Sequence, residues 1–172
     1  MVKLDKMWNC PRCVYAEMRF GSGNNMAGKR RRWIRSAKIK KITLRESRTE
    51  TDTSILEAMV NNNGDLAIEG YDLGEAPKKF WGDSDSEYGR VIKKKYKDKM
   101  LRLLIEQRFS PDSDFKEWLD EKGIPGMSRW EIDRGYGDTA LLWLIKERFD
   151  MDSDFKDWLD ESGIPDEYWS WI

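Results

Sequence analysis

A repeat of 40 residues in the C-terminal half constrains the fold of this chain more than any other feature. The segment from Arg108 to Pro125 returns as the segment from Arg148 to Pro165. Both copies contain Asp-Ser-Asp-Phe-Lys followed by Trp-Leu-Asp-Glu at the same spacing. Repetition at a fixed period of this size is typical of a duplicated supersecondary unit. The sequence therefore predicts two similar units that stack against each other.

Each unit has the local signals of two helices. An apolar stripe with helical spacing precedes each Arg-Phe pair; in the first copy it comprises Leu101, Leu104 and Ile105. Asp98 and its equivalent Asp138 are placed to cap the first helix of each unit. Gly123 and Gly163 are placed where the second helix ends in a left-handed residue, and each is followed by Ile-Pro. We expect residues 96–125 to form the first helical pair, and residues 126–172 the second pair with an aromatic tail.

Residues 36–95 have the pattern of a small antiparallel sheet. A strand is expected up to about Arg45, with one slip in its alternation, and another over Glu87–Lys94. Between them, Ile55–Val60 and Asp65–Leu73 are expected to form a hairpin around Asn63-Gly64, which supplies the positive φ angles of a tight turn. The glycines and proline from residue 70 to residue 82 indicate an irregular loop. Together these signals predict an α+β fold in which the sheet packs against two tandem helical pairs.

Several short segments carry a resemblance to a group of small bacterial proteins of uncharacterised function. These segments are Gly64–Leu66, Gly70–Gly74, Phe80–Ser84, Glu87–Tyr88 and Tyr168–Trp171, with the helical pair ending at Pro125. The chain resembles that group from about residue 51 to residue 125 and in its tail. It departs from the group by its Cys-containing basic arm and its second helical unit. The resemblance implies an α+β fold and transfers no function.

Charge is distributed very unevenly along the chain. Residues 1–50 carry fourteen Lys/Arg and four Asp/Glu, whereas residues 51–172 carry seventeen and twenty-eight. We therefore predict a flexible basic arm over residues 1–35 in front of an acidic body. Cations that neutralise phosphates, with an aromatic ring that stacks on bases, are typical of nucleic-acid-binding segments. The candidate residues are Arg30, Arg31, Arg32, Trp33, Arg35 and Lys38. A basic strand edge, or an arm docked on the acidic body, is the alternative.

The chain offers little catalytic or metal-binding chemistry. It contains no His, which removes the commonest general base and the commonest metal ligand. Cys10 and Cys13 have metal-ligand spacing, but a structural zinc site needs four ligands. We expect no cofactor unless a partner or a second chain completes a zinc site. An enzyme that uses carboxylates or a divalent metal, for example through Asp83 and Asp85, is the least favoured class.

Aromatic residues outside the repeat stripes point to protein contacts. Trp130, Tyr168, Trp169 and Trp171 do not belong to either apolar stripe, and the last three end the chain in an aromatic tail. Such a tail either packs across the sheet or forms a contact surface, where Trp and Tyr are favoured anchors. The leading hypothesis is a non-catalytic, cytoplasmic protein that binds another protein, as an inhibitor or immunity protein does. Nucleic-acid binding is the alternative, and no membrane contact is expected.

Overall fold

The computed structural model describes residues 38–109, 112–126, 132 and 135–171, which belong to one compact unit. Five strands and five α-helices are formed within these residues. The strands are β1 (Lys41–Arg48), β2 (Asp52–Val60), β3 (Leu66–Gly74), β4 (Asp85–Ile92) and β5 (Glu167–Trp171). The helices are α1 (Glu75–Trp81), α2 (Lys97–Arg108), α3 (Asp112–Glu121), α4 (Gly137–Arg148) and α5 (Asp152–Glu161), and a 3-10 turn spans Lys94–Tyr96. The predicted α+β fold is confirmed.

The strands form one antiparallel sheet in the order β1-β2-β3-β4-β5. The hairpin between β2 and β3 is the one predicted from Asn-Gly: Gly64 has φ 83°, and the Asn61 side chain accepts hydrogen bonds from the Asn63 and Asp65 N–H groups. The slip in alternation at the first strand is a β-bulge, because the register with β2 shifts between Thr43 and Arg45. Strand β1 then continues to Arg48, three residues beyond the predicted end.

The irregular loop predicted up to residue 82 is wrong after Leu73, whereas the predicted strand Asp65–Leu73 is confirmed as β3. Gly70 lies inside β3, and α1 occupies residues 75–81, with Pro77 in its first turns, where proline is tolerated. The start of α1 is capped from a distant part of the chain: the Ala76 N–H donates to Asp52 Oδ1 at 2.7 Å. Hydrogen bonds from Thr51 and from the Ala76 N–H lower the pKa of Asp52. A cap supplied by a separate strand leaves no local sequence signal.

The two repeats have nearly the same internal packing. In the first, the ring centroid of Phe109 lies 5.2 Å from Phe115 and 5.6 Å from Trp118. The equivalent distances in the second are 5.1 and 5.6 Å. The predicted left-handed ends are confirmed, with φ 65° at Gly123 and 59° at Gly163. Each repeat therefore closes its own aromatic cluster.

The predicted caps at the repeat helices are wrong in position. Tyr96 and Tyr136 precede the first helix of each repeat, and neither side chain caps it. Asp98 and Asp138 lie two positions after these tyrosines, within the first turn, where the positive end of the helix dipole favours a carboxylate. Asp138 also binds Lys97 of the first repeat at 2.6 Å.

The repeats pair reciprocally. Trp118 Nε1 of the first repeat donates to Glu147 Oε2 of the second at 2.8 Å, and Trp158 Nε1 of the second donates to Gln107 Oε1 of the first at 3.0 Å. Because residues 107 and 147 occupy the same repeat position, each copy contacts the other through the same surface. This is the self-complementary contact of a two-fold pair. The predicted stacking therefore takes the form of a pseudo-two-fold, in which α2 packs on α4.

One face of the sheet is covered by the helices. The sheet contributes Ile42, Leu56, Ala58, Leu66, Ile68 and Ile92 to a core shared with residues of all four repeat helices. Helix α4 lies against β1 and β2. Full burial of a side chain such as Leu56 or Ile68 contributes about 1.5–3 kcal/mol relative to exposure. Across the described part of the chain, every helix is too short or too polar to cross a membrane.

Candidate functional site

The second face of the sheet points away from the core that the sheet shares with the four described repeat helices. Side chains alternate along each strand, so the register identifies those that share this face. One row across it runs Glu57, Glu69, Gly89, Trp169, and the next runs Ile55, Tyr71, Glu87, Trp171. We call these eight residues the open face. It combines large apolar and aromatic side chains with three carboxylates.

A shallow cavity of about 320 Å³ lies in the open face. Most of its lining comes from open-face side chains: Ile55, Glu57, Glu69, Tyr71, Glu87 and Trp169. Gly89, which has no side chain, is buried in the same face and stands opposite Glu69 in the sheet. The Trp169 ring packs down onto it, 2.8 Å from where a Cβ of residue 89 would lie. Any larger residue at position 89 would displace the ring.

The charges of the open face are only partly balanced. Glu57 binds Lys41 Nζ at 2.5 Å, whereas Glu69 and Glu87 form no ion pair with any described residue. Glu69 stands directly opposite Glu57, and like charges at opposite strand positions are destabilising. At the edge of the same face, Glu167 binds Lys93 at 2.9 Å, and this hydrogen bond raises the pKa of the Lys93 ammonium. The centre of the face is therefore left with two unneutralised carboxylates.

A buried arginine on the opposite face fixes the strand that carries Trp169 and Trp171. Arg90 is 4% exposed; its Nε and Nη2 bind the Asp152 carboxylate at 2.6 and 2.5 Å, and its Nη1 binds Asp166 at 2.6 Å. The Tyr168 ring stacks on the guanidinium at 5.4 Å. We call Arg90, Asp152, Asp166 and Tyr168 the Arg90 clamp. It ties β4, the start of α5 and the start of β5 together.

Burial and the neighbouring carboxylates have opposite effects on the pKa of Arg90. Burial opposes the charge, but the hydrogen bonds and charges of Asp152 and Asp166 outweigh it and raise the pKa of the guanidinium. Asp152 is also the first residue of α5, where the helix dipole favours a carboxylate. Arg90 therefore carries its charge, and its contacts hold β5 against β4.

The structure separates the residues predicted for partner binding. Trp169 and Trp171 lie on the open face, and Trp171 is 72% exposed. Tyr168 points to the helix side and belongs to the Arg90 clamp, although it remains 59% exposed. Trp130 lies outside the described residues. The aromatic tail thus packs across the sheet as β5 and leaves the Trp171 side chain exposed.

Most of the other predicted sites fall outside the described residues. This holds for Cys10 and Cys13, and for five of the nucleic-acid candidates: Arg30, Arg31, Arg32, Trp33 and Arg35. Lys38 is described; it is exposed, and its Nζ lies 5.5 Å from the Tyr136 ring centroid. Among the described residues, no three Cys, Asp or Glu side chains are arranged to hold a metal ion. Asp83 and Asp85 are both exposed, at the start of β4.

A second concavity, of about 460 Å³, lies between the repeats. It is lined by Leu104, Gln107, Arg108, Leu144, Glu147 and Arg148. Its polar groups are already used between the repeats: Arg108 binds Glu147 at 2.6 Å, and Arg148 donates to Gln107. This groove belongs to the pairing of the repeats, so the open face is the stronger candidate site.

Sequence reasoning missed Tyr71, Glu69 and Glu87. Leu66 and Ile68 are buried in the core, and Glu69 lies on the opposite face of β3. What the sequence did not supply was the register, which places residues of β3, β4 and β5 side by side.

Comparison with models of protein families, with curated proteins and with solved structures found no match to this chain. The function of the open face therefore rests on its own geometry and chemistry.

Proposed function

We propose that this protein binds another protein through the open face of its sheet and performs no catalysis there. The observation that carries the proposal is that Tyr71, Trp169 and Trp171 share the sheet face opposite the one that the described repeat helices cover. Aromatic side chains of this kind are the favoured anchors of protein interfaces, because they bury large areas at low cost in side-chain entropy. A cavity beside them gives a partner side chain a place to insert.

The charge of the open face favours a protein over a nucleic acid. A sheet that binds single-stranded nucleic acid pairs its aromatic rings with cations that neutralise phosphates. Here the rings stand among Glu57, Glu69 and Glu87, and these carboxylates would repel phosphates. Nucleic-acid binding by the basic segment Lys29–Lys41 is a separate prediction that does not involve this face.

Photo-crosslinking in the protein's native cells tests the proposal. A benzoylphenylalanine is placed at Trp171, on the open face, and in a matched variant at Lys116, which is exposed on α3. We expect a protein adduct of defined mass from position 171 and none of that mass from position 116. Adducts of the same protein from both positions would contradict the proposal.

The crosslinked protein is then purified and its affinity is measured directly. We expect Tyr71→Ala and Trp169→Ala each to weaken binding at least tenfold, as truncation of an interface anchor does, on the order of 1.4 kcal/mol or more. Glu117→Ala, on the exposed surface of α3, is the control and should leave the affinity unchanged. Circular dichroism of each variant checks that the fold is retained. Unchanged affinity in both aromatic variants would refute the proposal.

A further inference from the structure

We infer that the segment which docks on the open face is positively charged, and that it places an arginine side chain between Tyr71 and Trp169 beside Glu69 and Glu87. The inference rests on the proposed function and names the chemistry of its partner.

The positions of the four side chains define the place of the arginine. Tyr71 stands opposite Glu87, and Glu69 and Trp169 flank Gly89 on either side. Glu69 and Glu87 are therefore diagonal neighbours on adjacent strands, with their backbones about 7–8 Å apart. A cation centred between the two side chains reaches both, and the cavity that both side chains line leaves room for it. The two rings can then pack against its planar faces.

Charge complementarity selects a cation. Glu57 has its own partner in Lys41, but Glu69 and Glu87 have none among the described residues. The free sheet thus retains the repulsion between Glu57 and Glu69, which a strand pair normally avoids. A cationic partner relieves this repulsion on binding. The arrangement disfavours the free protein and favours the complex, as expected of a binding surface.

Arginine suits the site better than lysine. Its guanidinium is planar, is weakly hydrated, stacks on aromatic rings and presents several N–H donors to carboxylates. An ammonium is a compact, strongly hydrated point charge that has no planar face to stack between two rings. The Arg90 clamp on the other face of the sheet shows the same combination, with two carboxylates and the Tyr168 ring around one guanidinium.

The test uses a fluorescein-labelled peptide of alternating arginine and serine, and a control peptide with neutral citrulline in place of arginine. Anisotropy with the full chain should give at least tenfold tighter binding of the arginine peptide. Glu69→Gln and Glu87→Gln should each weaken that binding about threefold to tenfold. Glu106→Gln, on the exposed surface of α2, changes the net charge equally and should have no effect beyond about twofold.

A second measurement separates binding from stability. Because Glu69→Gln removes the repulsion with Glu57, it should raise the thermal midpoint of the free protein by about 1–4 °C while it weakens peptide binding. Equal affinity for the arginine and citrulline peptides, or an equal loss in Glu106→Gln, would overturn the inference. The crosslinking at position 171 would then still decide whether the open face binds a protein, so failure of the inference is distinguishable from failure of the proposed function.

Discussion

Replacing Arg90 with methionine tests how the fold holds β5 and the tryptophans of the open face. Methionine retains much of the apolar volume of the arginine stem but removes the cation. The Asp152 and Asp166 side chains, 17% and 9% exposed, then lose the partner that compensates for their burial. The stacking of Tyr168 on the guanidinium is lost as well.

The expected cost follows from the burial of the pair. Removing one partner of a buried ion pair costs about 3–5 kcal/mol, because the remaining charge is desolvated without compensation. Asp152 retains part of its stabilisation from the α5 dipole, about 0.3–1 kcal/mol. We therefore expect Arg90→Met to lower the free energy of unfolding by about 3 kcal/mol. Against a total of about 5–15 kcal/mol, the domain stays folded while β5 frays.

Urea unfolding followed by circular dichroism measures this cost. Lys41→Met is the matched control, because it breaks the exposed pair with Glu57 and should cost less than about 1 kcal/mol. Neutralising the carboxylates in the Arg90→Met background with Asp152→Asn and Asp166→Asn should recover at least about half of the loss. A cost equal to that of Lys41→Met, or no recovery on neutralisation, would refute this account of the clamp.

Three further predictions concern packing, pH and the pairing of the repeats. Gly70→Ala should cost about 1–3 kcal/mol in urea unfolding, since its Cβ would lie 2.1 Å from the Tyr88 ring. Gly137→Ala, whose Cβ would make an ordinary contact with Leu101 Cδ2 at 3.9 Å, should be neutral or stabilising. Burial, and then the charge of Asp72, raise the pKa of Tyr88, so the protonated phenol stabilises the fold below a pH of about 10, and this stabilisation is lost as the pH rises further. Tyr88→Phe should therefore reduce the fall of the melting temperature at alkaline pH. Trp118→Phe should lower the free energy of unfolding by about 1.5–3 kcal/mol. In a double-mutant cycle with Glu147→Gln, the two substitutions should show an interaction energy of at least about 0.5 kcal/mol, and additive effects would contradict the reciprocal pairing.

Features encoded by neighbouring residues were predictable from the sequence. The Asn-Gly turn, the bulge in β1 and the left-handed ends at Gly123 and Gly163 all leave signals within a few residues. Helix α1 was not predictable in this way, because its cap comes from Asp52 in another strand. Tertiary contacts decided its structure against a local pattern of Gly and Pro.

The candidate site was only partly predictable for the same reason. Trp169 and Trp171 were identified because an aromatic segment near the end of the sequence is easy to recognise. Nothing in the local sequence distinguishes Glu69 and Glu87, which become neighbours of Gly89 only through the strand register. The Arg90 clamp joins residues 62 and 76 positions apart, which no local pattern indicates. Likewise, the repeat was evident, but its pseudo-two-fold pairing depends on the Trp118 and Trp158 contacts.

The most direct test of the open face as a binding surface is a titration of the full chain with the arginine peptide, followed by NMR of the nine tryptophan indole N–H groups. We expect the indole resonances of Trp169 and Trp171 to shift in proportion to occupancy. Those of Trp118 and Trp158, which bond Glu147 and Gln107 on the helix side, should stay in place. Shifts at Trp118 and Trp158 with none at Trp169 and Trp171 would contradict the account.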